Sequence, residues 1–318
     1  MPSHPMAILK QELNKILNII PKNSKIAYLD YPVYSNIGDI LIWKGAERFF
    51  SEHNINVRSQ NSFRDFSSEI KFPSNVILVF QGGGNLGDLY PEPQEMREYC
   101  IKNFKKHTIV ILPQTVYFKN PKALEHVSGI FSKHQDLHLF VRDKLSYNLA
   151  KKNLCDNVYL TPDMAHALWP IHPTTVKNPN RLLLLRRDIE RGPDGCIKPN
   201  SGDYILDWPQ FFTSSEKTEI KILIDYHSIK KRVQFLPALY LWRLFTRKIV
   251  KRVIKLFSEY ASIVSSRLHG HILACIMNKS NIFLNNSYGK NLTYYKTWTH
   301  RIPYVTFKKC KENNFLVL

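Results

Sequence analysis

Two stretches carry residues whose types and spacing suit chemistry on an anionic substrate. Ser266-Arg267-Leu268-His269-Gly270 follows a strand-like run, Ala261 to Ser265, and opens a helix-like run, His271 to Met277. Backbone N–H groups at a helix start, an arginine fork and an imidazole together make an anion site. Arg186 and Arg187 end another strand-like run, Arg181 to Leu185, followed by Asp188 and Glu190, so they can converge on the same point. An isolated Arg-Leu-His also fits a salt-bridged arginine beside a hydrogen-bonded core histidine, because anion sites are few per protein. The added arginines are what bring in the functional reading.

The other stretch is Val76 to Pro91, VILVFQGGGNLGDLYP. Its β-branched and aromatic start suits a buried parallel strand, which three glycines end in a tight turn. Ligands of an open α/β sheet bind beyond the carboxyl ends of its strands, so Gly83, Gly84, Asn85 and Asp88 belong at a binding edge. Gly82 to Gly87 matches the dinucleotide pattern GxGxxG, but the next strand ends in Pro113-Gln114, with no acid for a ribose. No Gly-Lys-Ser/Thr follows either, which excludes a phosphate-binding P-loop. In Ser35 to Asp39 (SNIGD), Ser35 or Asn36 can cap the helix-like run Ile40 to Ser51. Asp39 then lies in its first turn, where a carboxylate is stabilised by the dipole and is also placed for catalysis.

The elements that must position these residues alternate. Strands are expected at Lys25–Tyr31, Val76–Phe80, His107–Gln114, Leu137–Arg142 and Val158–Thr161, and helices at Met6–Ile20, Ile40–Ser51, Gln94–Phe104 and Lys144–Lys151. That alternation means a doubly wound parallel α/β domain over 1–169. Pro170, Pro173, Pro179 and two Thr mark a boundary between Trp169 and Asn180. A second series over 180–318 has strands at Arg181–Leu185, Lys221–Asp225, Ala261–Ser265 and Asn281–Leu284, and a helix at Tyr288–Trp298. Ser201 to Glu219 is poorly patterned and reads as a loop over a cleft.

The 318 residues suit two domains, and a hydrophobic content of 44% supports real cores. No apolar run approaches the ~18 residues of a membrane span. Met6 to Leu17 carries Lys10, Glu12 and Lys15, unlike a signal peptide, so a cytoplasmic location is expected. Five scattered cysteines (Cys100, Cys155, Cys196, Cys275, Cys310) without a CxxC fit a reducing compartment and no zinc site, and no metal is expected. Net charge is +19, and nine Lys or Arg with no acid lie between Lys230 and Lys255. Nucleic-acid modules interleave basic and aromatic residues on one surface, whereas this excess sits in one helix-like segment, so no nucleic-acid partner is expected. At 100° per residue, Leu239 to Phe257 sets Trp242, Phe245, Ile249, Val250, Val253, Leu256 and Phe257 against a basic half. It reads either as a core-facing helix with a solvated basic face or as an interfacial helix on the inner face of an anionic membrane.

In order along the chain, the sequence carries YSNIGDILIWKG (Tyr34 to Gly45), FQGGGNLGDLYP (Phe80 to Pro91), ILPQT (Ile111 to Thr115), VRDKLSY (Val141 to Tyr147) and TPDMAH (Thr161 to His166). LLLRRDIE (Leu183 to Glu190), SRLHGHILA (Ser266 to Ala274) and NNSYGKNLTYYKTWT (Asn285 to Thr299) complete the set. Together they resemble the polysaccharide pyruvyl transferase family, especially its bacterial exopolysaccharide and capsule branch. Asn285 stands where that branch often carries an acid, so no family role passes to it. The resemblance implies two Rossmann-like domains facing across a cleft, similar to GT-B glycosyltransferases. It also implies pyruvate transfer from phosphoenolpyruvate, with no further cofactor, to a hexose of a polysaccharide precursor linked to undecaprenyl pyrophosphate. A cyclic ketal forms and phosphate leaves. The residues then expected at the donor are Arg267, Leu268, His269, Gly270, Arg186 and Arg187. Asn36, Gly83, Gly84, Asn85, Asp88 and Gln114 are expected at the acceptor, with His269, Asp39 and Asp88 catalytic. A glycosyltransferase using a nucleotide sugar shares the fold and the anion site and is the alternative.

Overall fold

Strands interleaved with helices build the first sheet of the protein, for which a computed structural model describes residues 4–188, 191–192, 197–230, 237–287 and 289–309. Glu190, Cys196, Tyr288, Cys310 and the 231–236 part of the basic segment lie outside the described residues. The strands are β1 (Lys25–Leu29), β2 (Asn56–Asn61), β3 (Ile77–Phe80), β4 (Gly83–Gly87), β5 (Ile109–Tyr117), β6 (Leu137–Val141) and β7 (Asn157–Leu160). They are all parallel, in the order β2-β1-β3-β5-β6-β7, with β4 also paired to β5. Side chains alternate across the sheet as a strand requires. Leu78 and Phe80 enter one core with α3 (Pro91–Asn103), α4 (Pro121–Phe131) and α5 (Lys144–Asn153), while Val79 enters the opposite one with α2 (Ile37–Glu52). Ahead of β1, α1 (Pro5–Glu12) passes into a 3₁₀ turn, Leu13–Asn18, so the expected helix is broken in two.

The second sheet holds β8 (Asn178–Leu184), β9 (Tyr204–Leu206), β10 (Tyr260–Ser265), β11 (Asn281–Leu284) and β12 (Val305–Lys308), in the parallel order β12-β11-β10-β8-β9. Its helices are α6 (Trp208–Phe211), α7 (Ser214–Lys230), α8 (Ala238–Glu259), α9 (Leu268–Ile276) and α10 (Lys290–Tyr294), the last running into a π turn. The parallel α/β architecture matches the sequence expectation of two Rossmann-like units in a GT-B-like arrangement.

Three local expectations are corrected. Lys221–Asp225 is not a strand, because Glu216, Ile220, Leu223 and His227 are buried at helical spacing and make it part of α7. Ser201–Glu219 is not a loop: it supplies β9, α6 and the start of α7. The glycines after β3 do not turn the chain away, since β4 continues alongside β5, pairing Gly83 with Gln114 and Gly87 with Tyr117.

Helix α8 answers the choice its sequence posed. Trp242, Phe245, Ile249, Val253 and Phe257 are buried, and the Trp242 indole N–H donates to the Pro32 carbonyl at 2.7 Å. The Trp and Phe therefore belong to the core and not to a lipid interface. That core is continuous: residues from α1, α2, α8 and α9 and from strands of both sheets join one apolar cluster.

At Gly87 the backbone takes φ +137°, and a Cβ there would stand 1.7 Å from the Tyr117 carbonyl oxygen. Both strain and a clash with immovable backbone follow for any other residue. Gly87→Ala is expected to destabilise the protein by on the order of 3 kcal/mol in urea unfolding. An unchanged midpoint would show that β4 does not need this close approach.

Candidate active site

The carboxyl ends of both sheets meet at a cavity of about 320 Å³. From the first sheet come Tyr34, Asn36 and Asp39 around the start of α2, Gly84 and Asn85 of β4, and Arg142 just past β6. From the second come Arg186 past β8, Trp208 at the start of α6, Arg267, Leu268 and His269 at the start of α9, and Lys290 at the start of α10. Phe63, Arg64, Tyr90, Glu92 and Pro93 form the remaining wall.

His269 is the centre of the charged groups. Its Nε2 lies 3.3 Å from Asp163 Oδ2, and Asp163 in turn takes Arg142 Nη1 at 2.6 Å. Asp163 also caps its own turn, accepting the Ala165 N–H at 2.9 Å. Burial alone would raise the Asp163 carboxyl, but His269, Arg142 and that N–H outweigh it and hold Asp163 well below the usual range. Arg142 is locked further by Thr115 Oγ1 at 2.9 Å from its Nε. On the other side of the imidazole, a Cβ on Gly38 would stand 2.5 Å from His269 Nδ1. Only a glycine there lets the ring lie against the first turn of α2.

Asp39 occupies that turn, and Asn36 Nδ2 donates to its Oδ2 at 2.7 Å while Asn36 Oδ1 caps the Gly38 N–H. Burial raises the Asp39 carboxyl, offset in part by His269, the Tyr34 hydroxyl and Arg142. A carboxyl with raised affinity for protons, a partnered imidazole and a second carboxylate held ionised form an acid–base set. Behind Asn85 sits a largely buried polar network. Gln114 Nε2 donates to Asn85 Oδ1 at 3.0 Å, Arg97 Nη2 donates to the same oxygen at 3.0 Å, and Asn85 Nδ2 donates to Asp30 at 2.9 Å.

The arginines of the second sheet are already engaged. Arg267 makes a fork to buried Asp207, with Nε and Nη2 each at 2.7 Å, and its Nη1 lies 2.9 Å from Asp188. Asp188 also lies 2.7 Å from Arg186 Nε, as an ion contact without an aligned hydrogen bond. One half-exposed carboxylate, 42% accessible, thus bridges both arginines at the cavity wall.

Of the residues expected from sequence, His269, Asp39, Arg267, Leu268, Arg186, Asn36, Gly84 and Asn85 line the cavity. The others do not. Asp88 accepts the N–H groups of Lys119 and Asn120 at 2.7–2.9 Å and fixes the loop before α4, so no catalytic or acceptor role is carried forward for it. Gln114 is fully buried and donates to Asn85 Oδ1 and to the Gln81 carbonyl. Gly83 packs next to Ile42 and Asp39, and Gly270 against Leu184 and Ser265. Arg187 is exposed, and its backbone N–H is held by Asp207. Sequence reading missed Arg142, Asp163, Trp208 and Lys290. Arg142 and Asp163 follow strand ends of the first sheet, so the carboxyl-end rule that picked out Arg267 could have found them.

The fold and this cavity define an α/β protein of two parallel sheets with an acid–base site and clustered arginines between them. Residues 36–288 match the family model described as Polysaccharide pyruvyl transferase. EpsO of Bacillus subtilis, provisionally named a pyruvyl transferase, is 41% identical over 302 residues, 94% of this chain and 93% of that protein. Pyruvyl transferase 1 of Schizosaccharomyces pombe is 28% identical over 301 residues, 87% of this chain and 70% of that protein. In fold alone, a crystal structure of an uncharacterised Klebsiella pneumoniae protein matches 97% of this chain and 100% of its own, with TM-score 0.60 and 19% identity. This chain belongs to the polysaccharide pyruvyl transferase family, as its motifs indicated.

His166 backs the site. It lies fully buried with Nε2 2.8 Å from the Tyr294 hydroxyl, which in turn receives the Asp163 N–H at 3.3 Å. Burial pushes its pKa down to about 4 from an ordinary 6.5, so neutral His166 stabilises the fold in full above pH 6.5. That contribution is lost as pH falls through 4. Between pH 6.5 and 4 it amounts to about 3 kcal/mol, and His166→Gln is expected to flatten the decline of unfolding free energy by a comparable amount. Identical pH slopes for the two proteins would place the acid sensitivity elsewhere.

Proposed function

We propose that the chain transfers the pyruvyl group of phosphoenolpyruvate to two hydroxyls of one hexose in a lipid-linked polysaccharide precursor at the cytoplasmic face of a membrane. The observation that carries this reading is His269 between Asp39 and Asp163, at a wall bearing Arg142, Arg186, Arg267 and Lys290. Phosphoenolpyruvate brings a phosphate and a carboxylate, which more than one guanidinium must hold. Protonation of its methylene carbon makes a methyl group and an oxocarbenium-like centre, which the cationic wall and Asp163 keep oriented. A sugar hydroxyl adds there, the carbon–oxygen bond to phosphate breaks, and the second hydroxyl closes the ketal. Of the two hydroxyl protons, one replaces the proton delivered to the methyl group and the other leaves with phosphate. His269 is assigned as the acid and Asp39 as the base. Arg186 and Arg267 hold the donor, and Arg142 fixes Asp163. Asn36, Gly84 and Asn85 face the acceptor, where Tyr34, Phe63, Tyr90 and Trp208 offer aromatic faces to a sugar ring. The reading invokes no cofactor beyond the donor.

The test is incubation with phosphoenolpyruvate and a panel of lipid-linked and soluble glycosides. The expected result is phosphate release matched one to one by a pyruvate-ketal mass gain. Nucleotide release from a nucleotide sugar, with no ketal, would instead establish glycosyl transfer. His269→Ala and Asp39→Asn are expected to lower turnover by about 10²-fold or more. Arg186→Ala should weaken donor binding by about 1.5–3 kcal/mol, or at least tenfold, in calorimetry. Asp88→Asn should leave turnover unchanged, because its carboxylate serves the Lys119–Asn120 loop.

A further inference from the structure

We propose that the outward face of α7 and α8 is a docking surface for an anionic phospholipid membrane. The two helices pack antiparallel. Glu216, near the start of α7, pairs with Arg252 in the second half of α8, and His227, near the end of α7, meets Trp242 in its first half. Both bury one face in the core and turn the opposite face outward.

Helix α8 has 22 residues, and its outward row, Tyr240 to Lys255, is about 23 Å long. Tyr240 and Leu244 stand at its start, 62% and 48% exposed. Arg247, Lys248, Lys251 and Lys255 continue it, and with Leu244 and Arg252 they line one shallow groove. Lys248 approaches Glu216 at 3.7 Å, whereas Arg247, Lys251 and Lys255 have no ion-pair partner among the described residues. No acid lies anywhere in α8 before Glu259.

Helix α7 adds an apolar stripe. Ile222, Tyr226 and Ile229 are all exposed and fall within about 60° of one another. Glu219 and Asp225 flank that stripe and are balanced by Lys217 and Lys221, so among the described side chains of the two helices the excess positive charge lies on α8. Outward aliphatic and tyrosyl side chains beside unpaired cations match the headgroup region of an anionic bilayer, with apolar contact below and charge attraction above. A soluble polyanion would use the cations and gain nothing from Leu244 or Ile222.

The surface also lies well for an acceptor held in the same membrane. Trp242 bonds Pro32, His227 packs on Tyr31, and Tyr34 of the same loop lines the cavity. Only this last connection rests on the proposed function; the membrane contact does not.

Flotation of the full chain with phosphatidylcholine vesicles, with or without phosphatidylglycerol, tests the surface. Binding is expected only with the anionic vesicles and should weaken with salt. The triple change Arg247→Glu, Lys251→Glu and Lys255→Glu should cut the bound fraction at least tenfold. Tyr240→Ser with Leu244→Ser should cut it several-fold at the same salt. Both variants should keep the wild-type unfolding midpoint and turnover on a soluble glycoside, so failure of the catalytic reading registers separately. Absence of wild-type flotation with anionic vesicles would overturn the proposal, as would variants that float like wild type. So would dextran sulfate binding as tight as vesicle binding and indifferent to the Tyr240 and Leu244 changes, which would assign the surface to a soluble polyanion.

Discussion

Helix α2 is buried on nearly every side, and the position of the cavity depends on that. Ile37, Ile40, Leu41, Ile42, Trp43, Ala46, Phe49 and Phe50 are all withdrawn from water, which is the pattern of a helix enclosed by protein. One side packs on the first sheet, and others meet α8, α9 and the turn at Met164–Leu168. The two sheets are therefore joined by close-packed side chains and not by a polar seam. Such interiors tolerate little displacement. That precision matters because His269 comes from one sheet and Asp39 and Asp163 from the other. A shift of about 1 Å in such a set is enough to cost two orders of magnitude in rate.

The charged groups follow from this burial. Removing a lone carboxylate from water is expensive, so each buried acid here has an organised set of partners. Asp163 has Arg142, His269 and a backbone N–H, and Asp30 has Arg97 and Asn85. Burial raises the affinity of Asp39 for a proton, offset in part by its amide and hydroxyl partners and by charges at longer range, and it also raises Asp30, to about 6, in spite of Arg97 and Asn85. Buried carboxylates in and behind the site thus acquire different protonation tendencies: burial prevails at Asp39 and Asp30, and the charged partners prevail at Asp163. The asparagine that faces the cavity, Asn85, is oriented by the Asp30–Arg97 pair beneath it.

Much of this was legible in the sequence. Strand runs such as ILVF at β3 and the post-strand positions of Arg267, His269, Arg186 and Asn85 follow from hydrophobic patterning and the carboxyl-end rule. What escaped depended on tertiary context. In Lys221–Asp225 the apolar residues are so dense that strand and helix patterns both fit, and only packing against α8 decides for α7. Asp88 has the same local signature as Asn85, yet it meets the start of α4 because β4 runs on beside β5 for its full length. Arg267 reads as an anion fork in sequence; Asp207, sixty residues upstream, is what engages it. For α8 the amphipathic pattern left a core-facing and an interfacial reading open, and burial of Trp242 assigned the apolar face to the core.

The carboxylate of Asp188 has a further consequence. It is covalently part of the chain, so its effective concentration at Arg186 and Arg267 is far above that of any small ion in solution. An inorganic monoanion must compete with this tethered occupant for each arginine and offers no more charge than it displaces. A molecule carrying two separate anionic groups can replace Asp188 at both arginines in one event. Any anion arriving at this wall therefore meets arginines whose charge is already answered from within the chain.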